Sequence, residues 1–104
     1  MVRSILFTQK FKMKRIRFFV SGKVQGICYR YYSANKAQEL GLKGFVRNIP
    51  NGKVEVVVEG PEEQVEVFMN YCKNNPGYSR VERIEVMEEK EVEKPLFSDF
   101  KIKY

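Results

Sequence analysis

Histidine is absent from this chain of 104 residues, and tryptophan is absent as well. Histidine is the side chain that most often moves protons in enzymes at neutral pH. Its absence excludes Ser–His and Cys–His nucleophile pairs, a phosphohistidine intermediate and a histidine general base. Any chemistry that the protein performs must therefore proceed without that group.

Cysteine is scarce too, with only Cys28 and Cys72. Their separation does not match metal-ligand spacing, and there is no histidine to complete a zinc site. We interpret both as free thiols in a reducing compartment, with a single disulfide as the alternative. We therefore expect neither a bound metal nor another cofactor.

Long apolar runs are also missing. No segment approaches the length of about 18 residues that a membrane-spanning helix needs. The stretch from Ile5 to Phe7 is too short for the apolar core of a signal peptide. These features predict a cytoplasmic protein without a membrane segment.

The length allows one compact domain with one core, which we expect to be a monomer. Nineteen basic residues against thirteen acidic ones leave a net charge of +6. That charge favours anions, from small phosphates to nucleic acid, and is equally typical of a solvated, lysine-rich surface. The basic residues are scattered, with acidic pairs at residues 62–63 and 88–89 between them, which argues against nucleic acid.

The first residues differ from the rest of the chain. Residues 1–13 carry Lys and Arg around a few apolar side chains without a convincing period. A second methionine, Met13, stands where the patterned sequence begins. We interpret residues 1–13 as an N-terminal extension, either a flexible tail or a misassigned start, and predict a folded domain over residues 14–104.

From there on, alternating runs predict strands, and apolar residues at helical spacing predict two helices. The strands are expected at residues 15–21, 43–48, 53–59, 81–88 and 100–104, and the helices are expected to begin at residue 30 or 31 and at residue 61. The order is βαββαβ with one added short C-terminal strand. It is the order of the α+β ferredoxin-like sandwich, an antiparallel sheet covered on one face by two helices.

The run from residue 53 to residue 59 has a clear two-sided pattern. Val54, Val56 and Val58 face one way, and Glu55 and Glu59 face the other. Because successive side chains of a strand point to opposite faces, this strand should have one covered face and one more polar face.

Other residues mark a helix face and two turns. In the second helix, apolar side chains recur at i, i+3, i+4 and i+7, namely Val65, Phe68, Met69 and Cys72. Cys72 is therefore better explained by the core than by chemistry. The pair Asn51-Gly52 predicts a hairpin turn, and Gly41 predicts a left-handed end of the first helix.

The loop from Ser21 to Arg30 is the most unusual segment. It holds two glycines and leads into a helix, so its backbone N–H groups can form an anion-binding concavity with the helix dipole behind it. Arg30 would add a forked cationic donor that fits two phosphate oxygens. Residue types alone leave ordinary turn geometry and a solvated or carboxylate-paired arginine as the more frequent explanations.

Asn48 ends its strand just before the hairpin turn. On its own it is as typical of a turn as of a functional site. In the predicted fold, however, the end of this strand and the loop after the first strand can lie close together, which would put Asn48 beside the concavity.

At this point the residues resemble a known family. Gly22-Lys-Val-Gln-Gly-Ile-Cys-Tyr-Arg-Tyr31 looks like the first acylphosphatase signature, and Gly41-Leu-Lys-Gly-Phe-Val-Arg-Asn48 looks like the second. The resemblance runs from about residue 15 to the end of the chain. The departures are Ile27 where valine is usual, Tyr29 where phenylalanine is usual, and Phe45 where tryptophan is common.

The resemblance implies a metal-independent hydrolase that splits the carboxyl–phosphate bond of acyl phosphates and binds inorganic phosphate or sulfate as product-like ligands. Arg30 would hold the phosphate together with loop amides, and Asn48 would position the attacking water. The implied amide donors are those of Gln25, Gly26, Ile27, Cys28, Tyr29 and Arg30.

Two other classes of function stay open. A ferredoxin-like RNA-binding module would suit the size and charge, although residues 53–59 lack the aromatic side chains on which bases stack. A non-catalytic anion-binding domain, free or attached to a carbamoyl-phosphate enzyme, would keep the fold without the reaction. The presence of both Arg30 and Asn48 in a free-standing chain argues against that second class.

Overall fold

The computed structural model describes residues 12–26 and 28–104. It contains the strands β1 (Met13–Lys23), β2 (Lys43–Asn48), β3 (Val54–Pro61), β4 (Arg80–Val92) and β5 (Phe100–Lys103), and the helices α1 (Tyr29–Glu39) and α2 (Glu62–Lys73). Most of the predicted extension lies outside the described residues, and Met13 is the first residue of β1.

The five strands form one sheet in the order β4-β1-β3-β2-β5. β3 pairs antiparallel with both β1 and β2, and β4 pairs antiparallel with β1. The predicted βαββαβ order and ferredoxin-like arrangement are confirmed. β1 lies inside the sheet and β3 lies beside it, so the four-strand core has the expected topology.

The sheet is mixed, not fully antiparallel as expected, because β5 runs parallel to β2. The reason lies in the connection between β4 and β5. β4 ends where β1 begins, with Val92 beside Met13. The connection then passes Glu59, near the end of β3, and β5 starts with Phe100 beside Gly44. Starting from that edge of the sheet, β5 can only run in the direction of β2.

The core lies between the sheet and the two helices. β1 and β3 turn alternate apolar residues towards the helices, and α1 and α2 cover them. Its buried members include Ile16, Phe18, Val20, Ala34, Ala37, Val54, Val56, Val58, Val65, Phe68 and Cys72. The predicted alternation in β1 and the apolar face of the second helix are confirmed, with Met69 half-buried at its margin.

The predicted polar face of β3 is as buried as its apolar face. Glu55 and Glu59 are 3% and 0% exposed. Both Arg17 and Arg47 donate hydrogen bonds to Glu55, the former at 2.7 Å. Burial on its own would raise the pKa of Glu55, but these arginine hydrogen bonds outweigh it and hold that pKa below its usual value. The carboxylates are thus internal anchors and not surface groups.

Glu59 anchors the segment between β4 and β5. Its carboxylate accepts a hydrogen bond from Arg15 Nε at 3.0 Å and from the backbone N–H groups of Leu96 and Phe97 at 2.8 and 2.9 Å. A buried carboxylate is tolerated only when such donors surround it. The segment that leads to β5 is therefore tied directly to the middle of the sheet.

The predicted turns also form. Gly41 has a φ of 73°, and Asn51 and Gly52 have φ values of 75° and 78°. Successive left-handed residues suit a tight connection between twisted antiparallel strands. α1 begins at Tyr29, one residue earlier than the first expected start, and Pro61 precedes α2 as its N-cap.

The Glu55 cluster generates a test of stability against pH. We expect Glu55→Gln to lower the free energy of unfolding at pH 7, because it removes the charge that two arginines bind. A carboxyl whose folded pKa lies below the unfolded value of about 4.3 stabilises the fold above that pH and loses this effect as pH falls through the folded pKa. In urea unfolding, the difference from wild type should therefore be constant from about pH 7 to 5 and shrink below about pH 4.

The matched control for this test is Glu85→Gln. The Glu85 carboxylate is exposed and lies 3.8 Å from Lys53 and 3.9 Å from Arg83. Exposed pairs of this kind contribute little to stability, so this variant should unfold like wild type at every pH. An equal effect of the two substitutions, or a Glu55→Gln effect that does not depend on pH, would show that the charge of Glu55 does not stabilise the fold.

Candidate active site

Three strands end at one edge of the sheet and bring the predicted site residues together there. β1 and β2 both run antiparallel to β3, so they run parallel to each other, and β5 runs parallel to β2. Their carboxyl ends therefore meet at the same edge. The loop of residues 24–28 follows β1 and leads into α1, Asn48 is the last residue of β2, and Lys103 is the last residue of β5.

A cavity of about 320 Å³ opens at this edge. The residues around it are Val24, Gly26, Cys28, Tyr29, Arg30, Tyr31, Asn48, Ile102 and Tyr104. The structure thus brings Arg30 and Asn48 to one cavity, together with three of the predicted loop residues. Ile27 lies outside the described residues, and Gln25 turns its side chain towards the hairpin after β2.

The backbone of the loop turns sharply before α1. Gly26 has a φ of 76°, and Cys28, the N-cap residue, has a φ of 68°. A left-handed conformation at a residue other than glycine costs free energy and is found mainly where function or context requires it. The first hydrogen bond of the helix runs from Tyr32 N to Cys28 O, so the amides of residues 29–31 have no acceptor within the helix.

The two helices differ at their N-termini in a way that matters for anions. The first turn of α2 carries Glu62 and Glu63, whose charges complement the helix dipole. The first turn of α1 carries no acidic residue. The positive end of α1 therefore faces the cavity without a carboxylate of its own, and an external anion can take that place.

Arg30 is fixed by two contacts from the C-terminal end of the described chain. Its Nη1 donates to the Lys103 carbonyl oxygen at 3.2 Å, and its guanidinium carbon lies 4.8 Å from the ring centroid of Tyr104. Among residues 12–26 and 28–104, no carboxylate forms an ion pair with Arg30. Its positive charge and its other N–H donors are therefore available to a ligand.

Asn48 borders the cavity, and its side-chain oxygen is buried. No donor in the described part of the chain hydrogen-bonds to this Oδ1. Leaving a buried polar atom unpaired costs about 1–3 kcal/mol, so such an atom is suited to bind a ligand group or a water molecule. An amide does not take up a proton at neutral pH, so Asn48 can orient water but cannot deprotonate it.

The side chain of Gln25 joins the loop to the hairpin. Its Nε2 donates to the carbonyl oxygens of Ile49 at 2.9 Å and of Lys53 at 2.7 Å. Sequence reasoning assigned only the backbone N–H of Gln25 to the site. The glutamine in the first motif was the available signal, but the hairpin carbonyls that it reaches are 24 and 28 residues away.

Tyr29 is buried, as an aromatic residue in the core would be, and only 1% exposed. Its hydroxyl donates to the Cys72 carbonyl oxygen at 3.1 Å, and burial raises its pKa above the usual value. The hydroxyl that distinguishes it from the phenylalanine of the family motif thus has a partner.

Both cysteines are free thiols, as expected. Cys72 is fully buried, and burial raises its pKa to about 12, so it stays protonated and belongs to the core. Cys28 is exposed at the cavity rim.

Residues 12–26 and 28–104 contain neither a metal-binding cluster nor a membrane-spanning helix. Within that part of the chain, no group of three His, Cys, Asp or Glu side chains is arranged to hold a metal ion. None of its helices is both long and apolar enough to cross a membrane.

The chain is similar to proteins of known function. The sequence model of the family described as Acylphosphatase matches residues 16–102, which include the loop, Arg30 and Asn48. The chain is also similar to an acylphosphatase of Thermus thermophilus, with 49% identity over 74 residues that make up 71% of this chain and 84% of that protein.

Solved structures give the same result. The fold is similar to the crystal structure of acylphosphatase from Bacillus subtilis, with a TM-score of 0.80 and 34% identity over 88% of this chain and 99% of that one. It is also similar to part of full-length HypF, solved in a phosphate- and nucleotide-bound form, with a TM-score of 0.76 and 34% identity. That match covers 90% of this chain and 12% of HypF.

Proposed function

The chain belongs to the acylphosphatase family, and we propose that it hydrolyses the carboxyl–phosphate bond of acyl phosphates to a carboxylate and inorganic phosphate. The observation that carries this proposal is the shared cavity: Arg30, the unpaired amides at the start of α1 and the Asn48 side chain all border it. The family match favours hydrolysis over a non-catalytic anion- or RNA-binding module.

The phosphoryl group binds to the side of the cavity that is formed by the loop, the start of α1 and Arg30. The N-terminus of α1 and the loop amides donate to its oxygens, and the Arg30 guanidinium adds a charge that is not neutralised by a carboxylate of the described residues. The contact with the Lys103 carbonyl uses one of the five N–H donors of Arg30. The remaining donors suffice for a forked contact with two phosphate oxygens.

The attacking water binds to Asn48. Its Oδ1 accepts a hydrogen bond from the water and thereby turns an oxygen lone pair towards phosphorus. Phosphoryl transfer passes through a loose transition state with little bond formation to the nucleophile, so orientation of the water is sufficient and full deprotonation beforehand is unnecessary.

The leaving group explains why no acid is needed. The reaction breaks the bond between phosphorus and the acyl oxygen, and the electron pair of that bond leaves with a carboxylate. A carboxylate is stable without a proton at neutral pH, so the absence of histidine does not limit this reaction. A phosphate monoester would instead expel an alkoxide, which this site could not protonate.

The same reasoning extends to the ligands and setting of the protein. Inorganic phosphate or sulfate should occupy the cavity as product-like ligands, because both present tetrahedral oxygen anions to the same donors. We place the protein in the cytoplasm, because two free thiols are typical of a reducing compartment. We also expect it to be a monomer.

Removing the guanidinium tests the phosphate-binding role. We expect Arg30→Ala to lower kcat/KM for benzoyl phosphate by about 10²-fold or more, because it removes charge stabilisation in the transition state. Hydrolysis can be followed by the absorbance of benzoyl phosphate, with a chelator present throughout. Arg83→Ala is the control, because it removes the same charge from an exposed side chain on β4 and should retain wild-type activity. Equal activity of Arg30→Ala and wild type would contradict the proposal.

Removing the amide tests the water-positioning role. We expect Asn48→Ala to lower kcat by about 10²-fold and to change the inhibition constant of inorganic phosphate by less than about threefold, since the anion is held by other groups. Steady-state kinetics with phosphate as inhibitor measure both quantities. Asn70→Ala on the exposed side of α2 is the matched control and should behave as wild type. A collapse of phosphate affinity at unchanged kcat would place Asn48 in anion binding instead.

A further inference from the structure

We propose that the Gln25 side chain is a positioning residue that sets the distance between the phosphate-binding loop and Asn48. The inference rests on the proposed function, since it concerns how the two halves of that site are held in register. It assigns to Gln25 a role in turnover that is separate from the anion contact of its backbone N–H.

The contacts of Gln25 reach both ends of the hairpin turn. The amide nitrogen donates to the carbonyl oxygen of Ile49, before the turn, and to that of Lys53, after it. The turn itself is closed by Ile49 N, which also donates to Lys53 O, at 2.9 Å. Gln25 therefore binds the residue pair that closes the hairpin turn, and the first member of that pair directly follows Asn48.

The backbone of the sheet does not supply this link. The loop follows β1, Asn48 ends β2, and β3 lies between those two strands. Within the described residues, the hydrogen bonds that join residues 24–28 to residues 48–53 are the two made by Gln25. Without these hydrogen bonds, the position of the loop relative to the end of β2 would be fixed only indirectly, through packing and through β3.

The contact requires a hydrogen-bond donor. Both hairpin partners are carbonyl oxygens, so the side chain must donate, and Gln has two N–H donors at the end of a flexible stem. Glutamate has the same shape but presents acceptors to these carbonyls. Methionine has a similar length and volume and has no donor.

A loss of this link should affect turnover and leave anion binding in place. Phosphate is held by the amides of the loop, the start of α1 and Arg30, which are all on one side of the link. The water is held by Asn48, on the other side. A displacement of about 1 Å between reacting groups can lower a rate by about 10²-fold, so even a small drift of the hairpin would lower kcat.

The test compares Gln25→Met with Gln38→Met. Gln38 also donates its Nε2 to one backbone carbonyl, that of Phe100 at 3.0 Å, but this bond lies away from the cavity. We expect Gln25→Met to lower kcat for benzoyl phosphate by about tenfold or more, with the inhibition constant of inorganic phosphate within about threefold of wild type. Gln38→Met should keep the wild-type kcat. If Gln25→Met fails to fold, Gln25→Asn withdraws the amide by one methylene and serves the same comparison.

A double variant separates this inference from the proposed function. If Gln25 acts by positioning Asn48, the variant Gln25→Met/Asn48→Ala should be no slower than Asn48→Ala alone. Additive losses, a kcat of Gln25→Met equal to that of Gln38→Met, or a large loss of phosphate affinity in Gln25→Met would each overturn the positioning role while leaving the proposed function intact. Full activity of Asn48→Ala would overturn the water-positioning role and this inference with it.

Discussion

The antiparallel pairing of β3 with both β1 and β2 is the constraint on which the site depends. β3 is buried along nearly its whole length, from Val54 to Gly60. By pairing antiparallel on both sides, it makes β1 and β2 run in the same direction and end at the same edge of the sheet. Residues that are distant in the chain, Arg30 after β1 and Asn48 at the end of β2, thereby share one cavity.

The buried carboxylates of β3 extend the same constraint to β5. Glu59 binds the segment that carries the chain from β4 to β5, and β5 then runs beside β2 to reach Arg30 through the Lys103 carbonyl. Glu55 holds the arginines of both neighbouring strands. On the face of the sheet that turns away from the helices, ion pairs thus join three strands. This alignment helps to position the edge of the sheet that holds the cavity.

The residues of the site bind and orient the reactants, and they do not exchange protons with them. Arg30, the backbone amides at the start of α1 and the Asn48 side chain neither gain nor lose protons at neutral pH. Such a set is adequate only when the substrate brings its own good leaving group. The absence of histidine is therefore compatible with an acyl phosphate substrate, because the carboxylate that leaves needs no proton.

Much of this could be predicted from the sequence, because it is encoded locally. The alternation in β1, the Asn-Gly turn and the two glycine-containing motifs each lie within a dozen residues. The patterns predict the fold order, and the resemblance of the two motifs to a known family assigns Arg30 and Asn48 to one site. Contacts that do not follow from the order of the elements were not predictable. The parallel β5, the link from Lys103 to Arg30 across 73 residues and the burial of Glu55 all depend on which strands become neighbours, and no local pattern reports that.

We propose that a phosphate group binds at the start of α1 beside Arg30. A backbone-amide NMR titration with inorganic phosphate measures this directly, because amides that donate to the anion change their chemical shifts most. We expect the largest changes on residues 25–31, at the loop and the first turn of α1, and we expect them to disappear in Arg30→Ala. Changes centred elsewhere, for example on the first turn of α2 or on the face of the sheet that turns away from the helices, would contradict this binding site.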